Sequence, residues 1–63
     1  MILTLKDQLD ALGARIKARR ISLNFTQQIA AERAGIAYRT WRRMENEGKA
    51  SIEDLVRASL ALR

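Results

Sequence analysis

From the fifth residue the apolar positions keep helical spacing, with Leu5, Leu9, Leu12 and Ile16 on one stripe. Thr4 stands in front of the stripe as an N-cap, and Asp7 three residues on makes a weaker form of the capping box, so a first helix is predicted from about Leu5 to Arg20 or Ser22. Gly13 lies inside it at a cost of up to about 1 kcal/mol against alanine, marking either a close approach by another element or a weak joint. Leu23, Asn24 and Phe25 follow as a connection, in which Asn24 tolerates a left-handed backbone and Phe25 can staple to the next helix. Thr26 caps a second helix, roughly Gln27 to Ala34, and Gly35 ends it as a left-handed residue. A third helix is expected at about Ala37 to Glu47, closed by Gly48. Ser51 and Asp54 offer a second capping box for a fourth, about Ile52 to Leu62, with Ile52, Leu55, Val56, Ser59 and Leu60 as its inward stripe. The pattern predicts four helices and no strand, an all-α chain.

The 63 residues include no cysteine, histidine or proline, which leaves one domain over 1–63 without a disulfide or histidine-bound metal to staple it. A chain of this size buries only about 60% of the surface its unfolded form exposes, so an oligomer or a longer parent is expected. No run of apolar residues is long enough to span a bilayer, and the start, MILTLKDQLD, lacks the basic end and long apolar centre of a signal peptide; the expectation is a cytoplasmic protein with no membrane partner. The net charge of +5 is unevenly spread. Between Arg15 and Arg43 eight basic residues face a single acid, Glu32, for +7, while each flank sums to −1. So local a positive field attracts a polyanion and gives salt-dependent binding through counterion release.

The third helix carries that charge on one side. At about 100° per residue, with Tyr38 at zero, Arg42 falls near 40°, Arg39 near 100° and Arg43 near 140°, while Ala37, Met44 and Trp41 fall near 240° to 300°. Arginine grips the O6 and N7 of guanine with two parallel hydrogen bonds, and a major groove admits one helix, so this face suits direct readout of a duplex. The bland alternative is a solvated basic face on an ordinary amphipathic helix.

Residues 26–48, with Thr26-Gln27 opening one helix, the small Ala31, Gly35 in the turn and Glu45-Asn46 closing the next, resemble the helix-turn-helix of Cro and phage repressors, the XRE family. The flanks LGARIKARRISLN and ASIEDLVRASLAL also look like the first and fourth helices of that family, and short antitoxins of toxin–antitoxin operons are similar across most of the chain. The resemblance implies a small four-helix, lambda-repressor-like DNA-binding domain, of five helices in a longer parent, since relatives often continue past a point such as Arg63 into a dimerising helix or tail. It implies phosphate contact by Gln27 at the start of helix 2, unless that residue is simply a polar side chain in a first turn. Tyr38, Arg39 and Thr40 take the leading positions of the recognition helix, with Arg39 and Arg43 reaching base edges and Tyr38 meeting a phosphate or a thymine methyl. Arg42 reaches a phosphate or pairs with Glu45 or Asn46. Arg15, Arg19 and Arg20 bind the DNA backbone or merely complement the carboxyl end of helix 1. Glu45 is more often structural in the family, bridging to an arginine of helix 1, here Arg15 or Arg19.

Two positions depart from the family. Ala30 stands where leucine is usual and Trp41 where a medium aliphatic residue is usual; either the indole fills the volume the leucine would leave, or it stacks elsewhere, partly exposed. Ala37 replaces the usual serine or threonine cap, which costs helix 3 about 1 kcal/mol and loosens its first turn until DNA arrives. The leading expectation is a repressor acting as a homodimer, two copies of helix 3 entering successive major grooves about 34 Å apart on a pseudo-palindrome, with Leu60 and Leu62 at the dimer surface or finishing the core. The competing expectation is an interaction module, antitoxin-like or adaptor, whose main partner is another protein such as a cognate toxin. A membrane-surface helix fits poorly, because the stripe opposite the cations is needed for the core. An enzyme is not expected, nor a cofactor or metal, with no histidine or cysteine, no phosphate-binding glycine loop and no carboxylate pair placed for acid–base work.

Overall fold

The computed structural model describes residues 4–63. Among them are four helices and no strand: α1 (Leu5–Ser22), α2 (Gln27–Ala34), α3 (Tyr38–Glu47) and α4 (Ile52–Ala61). The helix starts follow their caps. The Asp7 backbone N–H donates to Thr4 Oγ1 at 3.1 Å while the Thr4 N–H donates to Asp7 Oδ2 at 3.3 Å, the reciprocal box expected at α1. Thr26 Oγ1 accepts from the Ile29 N–H at 3.1 Å and Ser51 Oγ from the Asp54 N–H at 3.0 Å. The second box is only half made, because the Asp54 carboxylate turns to Arg57, 3.7 Å away.

Three helices end in left-handed residues, Asn24 (φ 61), Gly35 (φ 72) and Gly48 (φ 67). At two of these ends the bonds are those of a Schellman motif: Phe25 N–H to Arg20 O with Asn24 N–H to Ile21 O after α1, and Ile36 N–H to Ala31 O with Gly35 N–H to Glu32 O after α2. Each turn therefore satisfies carbonyls that the helix leaves open, and it fixes the direction in which the next helix starts. α3 begins at Tyr38 rather than Ala37, which is extended and makes no side-chain cap.

α1 packs on α3, and α2 packs on both α3 and α4. The buried cluster is Ile16, Ala30, Ala31, Ala34, Trp41, Met44, Ala58 and Leu62, with Leu12, Leu23, Phe25, Ile36, Leu55 and Ala61 against it. Four alanines among the eight let helices approach closely, and Trp41 and Met44 supply the bulk. Trp41 and Ala30 are fully buried in one cluster, the arrangement expected if the indole replaces a missing leucine. Gly13 marks a close approach: a Cβ there would collide with the Glu45 carbonyl oxygen and stand 2.9 Å from that of Met44.

Two expected stripes are shifted. Leu5 is exposed, and α1 buries only from its middle onward. On α4 the inward residues are Leu55, Ala58, Ala61 and Leu62, whereas Ile52, Val56, Ser59 and Leu60 face solvent. The reason is that α4 meets the alanine face of α2, so small Ala58 sits at the contact and the larger side chains turn outward. Leu62 is buried and finishes the core, whereas Leu60 is exposed. No helix among the described residues is long and apolar enough to cross a membrane.

Candidate nucleic-acid interface

On α3 the separation of cationic and apolar arcs holds in three dimensions. Trp41, Met44 and Glu45 are buried, while Tyr38, Arg39, Arg42 and Arg43 are exposed and Thr40 is half-buried. Arg39 has neither an ion pair nor a hydrogen bond to any described residue, so its five N–H donors are free. Arg43 stays exposed with only a long contact to Glu47, Nε to Oε2 at 3.8 Å, a kind of surface pair that contributes little. Arg42 takes neither of its expected partners on the helix: its guanidinium lies over the Tyr38 ring, 5.6 Å from the centroid. The two residues are one turn apart, so the pair forms a single ledge on the outer face.

Beneath this face a buried carboxylate holds three helices together. Glu45 Oε2 accepts from Arg20 Nε at 2.6 Å and from Trp41 Nε1 at 2.5 Å; Oε1 accepts from Gln27 Nε2 at 3.0 Å and Arg20 Nη2 at 3.2 Å. Arg20 Nη1 also donates to the Phe25 carbonyl at 2.8 Å. Burial pushes the Glu45 carboxyl up, but hydrogen bonds from Arg20, Trp41 and Gln27 and the Arg20 charge outweigh it, leaving the pKa below the ordinary value of 4.5. The helix 1 partner is thus Arg20, in place of Arg15 or Arg19. Arg20 follows the core residue Ile16 by four positions and shares its inward face, a signal the sequence contained.

The remaining expected residues divide. Arg19 turns its Nε onto the Leu62 carbonyl at 2.7 Å, closing the end of α4, which ties it to the fold. Arg15 is exposed and without a described partner. Arg33 lies over the Phe25 ring at 4.7 Å. Gln27 opens α2 half-buried, its amide nitrogen committed to Glu45, so the residue expected at a phosphate is also the strut between the start of α2 and the end of α3. That strut registers the two helices against each other. Thr40 and Arg43 share a cleft of about 410 Å³ with Lys49, Ala50, Ser51 and Asp54, beside the start of α4. No family model, curated protein or solved structure matches this chain.

Proposed function

We propose that the chain is a sequence-specific binder of double-stranded DNA of the Cro and phage-repressor type, a transcriptional regulator that acts as a homodimer by occupying a promoter. The observation that carries this reading is the outward arginine face of α3, backed by a fully buried indole and tied to α2 through Glu45 and Gln27. A recognition helix needs a packed underside and donors on top; α3 buries Trp41 and Met44 below and exposes Arg39, Arg42 and Arg43 above. Arg39 and Arg43 carry base readout in this proposal, the Tyr38–Arg42 ledge meets the sugar–phosphate backbone or a thymine methyl, and Arg15 adds backbone contact.

One copy offers one arginine-faced helix to one groove, so reading two half-sites about 34 Å apart takes two copies. The mechanism is steric and involves no covalent step. Selection from random duplex DNA at fixed salt, repeated with Arg39→Ala and Arg43→Ala, tests it. The expected result is a loss of about 1 to 3 kcal/mol confined to particular base positions. A uniform weakening across all sequences would reduce the arginines to phosphate contacts, and no selected motif would end the reading.

A further inference from the structure

α4 is apolar twice over. Its inner arc, Leu55, Ala58, Ala61 and Leu62, belongs to the core, yet Ile52 (82% exposed), Val56 (52%) and Leu60 (53%) form a second stripe facing solvent. At a spacing of four residues, these three fall within about 80° of one another on the helix, a continuous ridge. A helix with apolar residues on both sides is normally covered on both. Within the described chain nothing covers the outer one.

We infer that the outer stripe of α4 pairs with the same stripe of a second copy of this chain, antiparallel about a two-fold axis through Val56. The inference supplies the contact surface for the homodimer of the proposed function. The stripe is its own complement: Val56 lies midway, so a two-fold sets Val56 against Val56 and each Ile52 against the partner's Leu60, as a same-face contact requires. Ser59 beside the ridge is small enough for two helices to come close.

Charge points to the same face. Two chains of +5 repel, and most of that charge lies between Arg15 and Arg43. Among the described helices α4 alone has a net negative charge, −1 from Glu53, Asp54 and Arg57, so joining here brings the least like charge together and leaves the basic segments free. Arg57 is already within 3.2 Å of Glu53 and 3.7 Å of Asp54, so closing the contact strips no charge of its partner. Three side chains per copy make a ridge well below the roughly 1,600 Å² of a standard interface. The dimer is therefore weak, with a dissociation constant at or above the micromolar range, and it assembles fully on an operator that holds both copies.

Sedimentation equilibrium of the full chain without DNA, from about 1 µM to about 1 mM, reads this directly. The wild type is expected to pass from monomer to dimer across that range. Val56→Lys and Val56→Glu, at an exposed site and with helical circular dichroism unchanged, should each weaken dimerisation at least tenfold, and an equimolar mixture of the two should associate again because the opposite charges meet on the axis. Ile21→Lys, at an exposed apolar residue of α1, should change nothing. A wild type that stays monomeric throughout, a Val56→Lys chain that dimerises normally, a mixture that stays apart, or a stripe occupied only by a different protein would overturn the inference. A wild type that stays monomeric yet binds duplex would remove this interface alone, whereas a dimer that ignores every duplex would remove the proposed function and leave the interface standing.

Discussion

Glu45 takes donors from Arg20 on α1, Gln27 on α2 and Trp41 on α3, so one carboxylate sets the mutual position of three helices. Its lowered pKa fixes the sign of the acid response. A carboxyl that releases its proton more readily in the folded state contributes stability that is complete above its unfolded value and is lost as pH falls through the folded one. The Glu45 carboxyl resonance should accordingly titrate below 4.5, with thermal stability declining over the same acid range; a midpoint at or above 4.5 would show that the three donors do not hold the anion. Trp41→Ala removes the largest core side chain together with one of those donors, and a loss of about 3 to 5 kcal/mol is expected, most of the stability of so small a domain. A melting temperature left unchanged would show that the indole does not carry the core. Gly13 offers a test in the opposite direction to helix propensity. Alanine there should gain up to about 1 kcal/mol from the helix alone, yet its Cβ meets backbone oxygens that cannot step aside, so Gly13→Ala should destabilise by about 1 to 3 kcal/mol in a denaturant melt.

At the scale of elements, α3 lacks the side-chain cap that Thr4, Thr26 and Ser51 give the other three helices. Its first turn carries Tyr38 and Arg39, so amide exchange there should slow when a duplex binds, and Ala37→Ser should add about 1 kcal/mol to the free protein. Equal exchange at Tyr38 with and without DNA would contradict this. Helix limits were legible in the sequence because caps and left-handed residues are local: Thr4, Thr26, Asn24, Gly35 and Gly48 act through bonds a few residues long. The faces of α3 were legible for a related reason, since Arg39, Arg42 and Arg43 fall on one arc of a short helix and Trp41 and Met44 on another, whatever lies beneath. Burial on α4 was not legible, because two apolar arcs compete for the interior and the alanine surface of α2 decides between them. The partner of Glu45 was missed for a similar reason. Arg15, Arg19 and Arg20 differ in chemistry not at all, and only the position of Arg20 one turn beyond Ile16 turns it inward.

For the molecule as a whole, the charge and the core are complementary demands on few residues. Of the eight basic side chains between Arg15 and Arg43, Arg19 and Arg20 serve the fold, and the others remain at the surface, where they concentrate the positive charge on which the proposed function rests. The most direct test of the central claim is the binding of the intact chain to mixed-sequence duplex DNA as salt is raised from about 50 to about 200 mM. With four to six basic side chains engaged, the logarithm of the binding constant should fall linearly against the logarithm of salt with a slope of about −4 to −5, and Arg39→Ala should make that slope shallower by roughly one. Binding that does not respond to salt, or no binding at the lowest ionic strength, would contradict a DNA-reading role for the arginine face of α3.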